Sequence, residues 1–377
     1  MAQAWRSHVC SFGSWPWGKL LCLSMLQAIT SYVLSSFRTA ICPFVTKLFS
    51  EPVVFASGRR VAIGKLLAEG GFSFVYVGTE ARTGCQVALK KIICQDEETK
   101  AAAKAEAAMH ERFTHANLLP LIDKAFQRHP GNSRWEVFWF VFPLCKCSLR
   151  DEITIRVLGD FSTGQLPSLD DTITPSQMVN IMHGVCSGLQ HMHRQSVSHR
   201  DVKPENVLLQ REGAQNGSVG TPLLMDFGSC GDTEVAIRGR RDALVETETA
   251  ARLCTMQYRS PELFDVPTDI GVLSYALADV WSIGCTLYCC LHGYSPFEVE
   301  FDRQAPCRPH QVDCGHLRVL GSIPWPREGP RSHTPEATKN LIQWVLTTDP
   351  KMRPDINRVL DRLVAAPSGR DALELAV

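Results

Sequence analysis

The sequence has no net charge, with 39 lysines and arginines against 39 aspartates and glutamates. No global field therefore draws it to an anionic polymer, and no nucleic-acid partner is expected. Cys-x-x-Cys pairs are absent among its 15 cysteines. Without a disulfide framework, the thiols are expected to be reduced and to lie in the cytosol or facing it. The densest metal-like cluster, Cys307, His310, Cys314 and His316, fits no standard zinc spacing and reads as a loop with incidental thiols. Residues 1–50 contain no acidic residue, while Arg6, Lys19, Arg38 and Lys47 give them a charge of plus four. No apolar run of bilayer length is present there: Leu20 to Leu34, behind Trp5, Trp15 and Trp17, has about 15 residues where a span needs about 20. Three readings stand for this leader: a targeting peptide, a membrane-surface segment acylated at Cys10, Cys22 or Cys42, or a leader with no role. N-myristoylation is excluded, because residue 2 is Ala2 and not glycine.

At 377 residues the chain can hold one large or two medium domains. Its organising stretch is His199-Arg200-Asp201-Val202-Lys203-Pro204-Glu205-Asn206, followed by Asp226-Phe227-Gly228. The first matches the catalytic loop H-R-D-x-K-x-x-N of protein kinases and the second their metal-binding D-F-G. The chemistry needs these types. An attacking hydroxyl requires a proton acceptor, Asp201, and Lys203 can place a positive charge over the moving phosphate. Asn206 and Asp226 offer oxygens to magnesium. Asp201 and Lys203 are therefore the expected catalytic residues, and Asn206 and Asp226 the expected metal ligands.

Upstream, Val61 to Leu67 reads as a strand entering Ala68-Glu69-Gly70-Gly71-Phe72-Ser73, with Val75 starting the return. Kinases use such a hairpin to cover ATP phosphates with backbone amides. Against G-x-G-x-x-G, Ala68 takes the first glycine position and Ser73 the third, so the loop alone is a weak signal and a plain turn fits as well. Val87-Ala88-Leu89-Lys90 strengthens it, since V-A-x-K carries the phosphate-gripping lysine. The Ala-, Glu- and Lys-rich Asp96 to Phe113 predicts a helix presenting Glu106 to Lys90, with Glu97, Glu98 and Glu111 as competing acids. Ala68, Glu69, Gly70, Gly71, Phe72, Ser73, Val75, Ala88, Lys90 and Glu106 make up the expected nucleotide-binding set. Trp135 to Phe142 predicts a strand whose aromatics are core, running into a hinge near Pro143, Leu144 and Cys145. Leu158 to Pro175 reads as a loop and Ser176 to His193 as a helix with Ile181, Val185, Leu189 and Met192 inward. Its histidines, His183, His191 and His193, are expected to pack and not to ligate. Val207 to Leu209 and Pro222 to Met225 predict a short hairpin.

Residues 59–364 resemble a eukaryotic Ser/Thr protein kinase. That resemblance implies an α+β, two-lobed fold, a small β-rich lobe over a larger helical one, between a leader (1–58) and a short tail (365–377). It implies ATP and Mg2+ as cofactors, and protein substrates with serine or threonine acceptors, Lys203 and Thr255 together marking these over tyrosine. It gives Asp279 a bracing role under the catalytic loop and Arg353 a buried ion pair with Glu262. Glu69 to Ser73, Ala105 to His110 and Leu224 to Ser229 are similar to the Numb-associated kinases, in particular their acylated, Golgi-associated branch. From this come three expectations: a cytoplasmic chain with membrane association through residues 1–50, an extra helix over Leu263 to Ala278 holding the activation segment, and a link to membrane trafficking. Arg200 is the arginine many kinases use to grip an activation-loop phosphate, with Thr233, Thr247 and Thr249 as candidates. The competing class is a pseudokinase scaffold, set apart by whether Lys90, Asp201, Asn206 and Asp226 are all present; all four are.

Overall fold

The computed structural model describes residues 52–158, 173–210, 220–301, 309–311, 318, 321–326 and 334–365. The expectations for residues 1–50 and their cysteines, the loop over 159–172, Cys307, Cys314, His316 and the tail beyond 365 lie outside the described residues, while Val53 and Phe55, placed in the leader, pack into the sheet core. The chain folds as α+β in two lobes.

The first lobe is a six-stranded antiparallel sheet in the order β1-β2-β3-β4-β6-β5. Its strands are β1 (Val53–Val54), β2 (Arg60–Glu69), β3 (Ser73–Glu80), β4 (Gln86–Cys94), β5 (Asp123–His129) and β6 (Asn132–Pro143). Strand β6 is buried on both faces. Its odd residues Val137, Trp139 and Val141 join Val53, Val61 and Leu89 in one apolar cluster. Its even residues Phe138, Phe140 and Phe142 join Ala103, Ala107 and Leu119 in another, since strand side chains alternate in direction. Strand β3 begins at Ser73, ahead of Val75, because Gly70 N donates to Ser73 O at 2.8 Å and closes the turn early.

The second cluster is completed by α1 (Glu97–Arg112), bounded as the sequence suggested. Asp96 caps it, accepting from Thr99 N at 2.8 Å, and Glu97 and Glu98 sit on the positive end of the helix dipole.

The second lobe is built around two helices. In α3 (Pro175–His193), after α2 (Leu149–Ile153), the apolar face of Met178, Ile181, Met182, Val185, Leu189 and Met192 is buried. Further on, α5 (Tyr275–His292) is buried nearly all round and ends at Gly293, whose φ of 87° is the left-handed conformation glycine adopts freely. The last two helices, α6 (Glu336–Val345) and α7 (Ile356–Ala365), close this core. Between these elements run short pairings: β9 (Val207–Leu209) with β7 (Cys147–Ser148) and β10 (Pro222–Leu224), β8 (Val197–Ser198) with β11 (Gly231–Asp232), and β12 (Glu234–Ala236) with β13 (Val272–Ser274).

The extra helix is not where the resemblance placed it. It is α4 (Arg240–Leu253), ahead of Thr255, whereas Leu263 to Ala278 holds a turn, β13 and only the start of α5. Local propensity explains the difference. Ten of the fourteen residues of Arg240–Leu253 are Ala, Leu, Glu or Arg, while Pro267 and Gly271 interrupt the later stretch. Ala243, Ala250, Leu263, Val266, Leu273 and Tyr275 then form a separate small core that fastens α4 to the β12–β13 pair.

Candidate active site

The cleft between the lobes, of about 810 Å³, is lined by Leu67, Ala68, Val75, Ala88, Leu208 and Met225 among others, with Lys90, Glu106 and Asp226 at its inner end. Strand β4 points Val87 and Leu89 into the sheet core and Ala88 and Lys90 into the cleft. Lys90 Nζ donates to Glu106 Oε1 at 2.6 Å. Burial alone would drive the ammonium to lose its proton; the charges of Glu106 and Asp226 outweigh this and hold Lys90 above its ordinary value. The competing acids lie elsewhere: Glu111 takes Lys124 at 2.8 Å and Glu97 faces Lys100 at 3.5 Å. Of the hairpin residues, Ala68 and Val75 form cleft wall. Glu69, Gly70, Gly71, Phe72 and Ser73 make the tip beyond it, with Phe72 half exposed to solvent.

The catalytic loop follows β8. Asp279 on α5 sits beneath it, one oxygen accepting from His199 N at 2.8 Å and the other from Arg200 N at 2.7 Å. His193 also meets Asp279, at 2.9 Å, so this histidine packs. Two backbone donors on one buried carboxylate fix the loop, which has to hold Arg200 at a φ of 70°.

Asp201 is thereby delivered to the cleft mouth. Its Oδ2 accepts from Lys203 Nζ at 2.7 Å and Asn206 Nδ2 at 3.0 Å. Its Oδ1 accepts from Thr255 Oγ1 at 2.6 Å and Thr255 N at 3.0 Å. Burial opposes ionisation, but the bonds from Lys203 and Thr255 outweigh it and hold the carboxyl below its ordinary value. Lys203 Nζ also donates to Thr255 Oγ1 at 2.7 Å, so three residues from two distant segments form one cluster.

Asp226 has a φ of 67°, a conformation in which Phe227 turns inward while Asp226 remains in the cleft. The Phe227 ring lies 4.4 Å from His110 of α1 and 5.9 Å from His199. His110 lies one turn after Glu106 on α1. Buried, it meets Leu119 O through Nδ1 at 3.0 Å, and desolvation pushes its pKa down to about 4. Tyr275 was not singled out in the sequence, having no local signal.

The residues fit the cofactors the family implies. Lys90 is a half-buried cation in the cleft, suited to phosphate oxygens. Among the described residues no cluster of three His, Cys, Asp or Glu side chains could cage a metal. Asp226 with the amide of Asn206 is a sparse oxygen set, which suits Mg2+ completed by substrate phosphates and water. Away from the cleft, Arg353 donates to both Glu262 oxygens at 2.8 and 3.0 Å, a buried fork bracing the end of the activation segment.

Comparison with known proteins agrees with this geometry. Residues 61–364 match the protein kinase domain. Serine/threonine-protein kinase 16 of Rattus norvegicus is 32% identical over 318 residues, spanning 84% of this chain and 93% of that protein. The Homo sapiens protein of the same name is also 32% identical over 318 residues. Serine/threonine-protein kinase ENV7 of Saccharomyces cerevisiae is 26% identical, over 88% of this chain and 98% of its own. With the domain match covering most of its length, and an ion-paired lysine, a braced catalytic loop and a metal-competent carboxylate in one cleft, the chain belongs to the protein kinase domain family.

Proposed function

We propose that the chain is an active Ser/Thr protein kinase that transfers the γ-phosphate of ATP to protein hydroxyls, its own included. One observation carries the reading: the Asp201–Lys203–Thr255 cluster shares a cleft with the Lys90–Glu106 pair and Asp226. When bound, ATP supplies the phosphoryl group and Mg2+ neutralises its charge; Lys90 would hold the phosphates, and Asp226 and Asn206 the metal. Asp201 orients the incoming hydroxyl and receives its proton as attack proceeds. Lys203 keeps Asp201 ionised and offsets charge where the phosphate moves. Thr255 fixes the other Asp201 oxygen and shapes the acceptor pocket for a short side chain, favouring serine and threonine over tyrosine.

The test is transfer of labelled phosphate from ATP to the chain itself and to a basic protein, set beside Asp201→Asn. Label on serine or threonine, lost in the variant, supports the reading; nucleotide binding with no transfer makes the chain a pseudokinase scaffold. The resemblance to the Numb-associated kinases, together with an acid-free, tryptophan-bearing leader of charge plus four, supports a cytoplasmic enzyme held at an endomembrane through residues 1–50 and working in trafficking. Among the described residues no helix is long and apolar enough to cross a membrane. Fusing residues 1–50 to a fluorescent protein tests the attachment, and diffuse signal would refute it.

A further inference from the structure

Arg200 adjoins Asp201, and its surroundings differ from a site waiting for a phosphate. Its guanidinium lies 3.9 Å from the centroid of the Tyr275 ring. Its Nε donates to Ser198 Oγ at 3.3 Å and its Nη2 to Asp232 O at 2.9 Å. Among the described residues no carboxylate forms an ion pair with it. Gly231 leaves the space the guanidinium fills, since a Cβ there would collide with it.

Tyr275 is fully buried at the start of α5, and its hydroxyl donates to Glu246 Oε2 on α4 at 2.8 Å. The Tyr275 and Ala276 backbone N–H groups donate to Thr233 O at 2.8 and 3.3 Å, tying the same turn to the activation segment. Thr247, one candidate phosphate carrier, has its hydroxyl engaged by Ala243 O at 2.9 Å and by Val266 N at 3.1 Å.

The π-face of an aromatic ring attracts a cation, more strongly once water is excluded. A phenol donating to a carboxylate carries extra electron density into its ring, and that bond also fixes the ring plane. Resting on the kinase reading of this site, we propose that Tyr275, oriented by Glu246, is a positioning residue. It holds Arg200, and through the loop backbone Asp201, in the working arrangement without an anion added to the activation segment. A phosphate at Arg200 would act by charge; here a neutral ring, the Asp232 carbonyl and the Ser198 hydroxyl hold the guanidinium instead, and α4 supplies the anchor.

The test uses the full chain, dephosphorylated by a broad-specificity phosphatase, in steady-state assays on a protein substrate. Wild type keeps its kcat after phosphatase treatment. Tyr275→Leu lowers kcat about tenfold with KM for ATP unchanged, and Tyr275→Phe, which keeps the ring but loses its bond to Glu246, falls only several-fold, as Glu246→Ala does. In an Arg200→Met background Tyr275→Leu costs nothing further, an outcome a merely structural role would not give. Should Tyr275→Leu melt below the assay temperature, Glu246→Ala carries the test, since it frees the phenol without opening the core. A several-fold fall in kcat, absent beside Arg200→Met, supports the proposal. Equal kcat for wild type and these variants overturns it. So does a full loss persisting in the Arg200→Met background, or a wild type active only after phosphorylation. A wild type inactive in both states refutes the kinase reading itself, and the two failures are thereby told apart.

Discussion

His110 gives the sharpest handle on the structure, because its burial makes folding depend on pH with a definite sign. The ring sits between α1 and Phe227, 4.4 Å from that ring and 4.9 Å from Phe142. The charged groups around it are Glu106, 4.0 Å away, with Lys90, Asp226 and the titratable His199. The Leu119 carbonyl on Nδ1 and the Asp226 charge favour an imidazolium, Lys90 and His199 oppose it, and the nearby Glu106 oxygen is already taken by Lys90 at 2.6 Å. Desolvation therefore governs, and the pKa falls from 6.5 to about 4. Below 6.5 the unfolded chain protonates this histidine while the folded chain holds out to about 4, so the unfolded state binds more protons in that window. The contribution is present above 6.5 and is lost as pH falls towards 4; at 1.36 kcal/mol per pH unit it is worth about 3 kcal/mol. The assay is denaturant unfolding of wild type and His110→Met across this range, at matched ionic strength. Methionine fills the gap without titrating, so the stability difference isolates the imidazole. It should move against wild type by about 3 kcal/mol between pH 7 and pH 4, roughly half of it by pH 5.2. A flat difference, within about 0.5 kcal/mol, would refute the burial argument. A wild type gaining relative stability in acid would show that His110 displaces Lys90 from Glu106.

Three further outcomes follow from the same contacts. Arg353→Met should leave Glu262 charged and buried, costing about 3–5 kcal/mol. At roughly 2 °C per kcal/mol the Tm falls by at least about 6 °C, and a fall under 2 °C in a thermal melt would count against the fork. Replacing both partners, as Glu262→Leu with Arg353→Met, should recover part of the loss. Thr255→Val keeps shape but removes the hydroxyl shared by Asp201 and Lys203; kcat should drop about 10- to 100-fold with KM for ATP unchanged, and steady-state kinetics with intact kcat would refute its role. Asp279→Asn sets an amide against two backbone donors, so folding should weaken by about 1–3 kcal/mol and kcat should fall, measured by unfolding and phosphate transfer on the same preparation.

The sequence by itself determined the elements whose causes are local. Asp96 and the Ala- and Glu-rich run after it bounded α1, alternation of apolar residues specified β6, and fixed spacing identified Asp201, Lys203, Asn206 and Asp226. Glu106 could be singled out because Glu97 and Glu98 lie in the first turn of α1 and Glu111 near its end. What depended on distance along the chain was decided only by tertiary packing. The helix steadying the activation segment was expected after residue 263; local propensity put it at Arg240–Leu253, and its docking against Leu273 and Tyr275 needed the folded small core. His110 carried no motif, and its suppressed titration arises from desolvation between α1 and Phe227, two segments more than a hundred residues apart. Tyr275 reads as an ordinary buried aromatic until Arg200 is folded onto its ring. A side chain's type fixes what it can do, but burial and facing charge, which exist only in three dimensions, fix its protonation state and its partner.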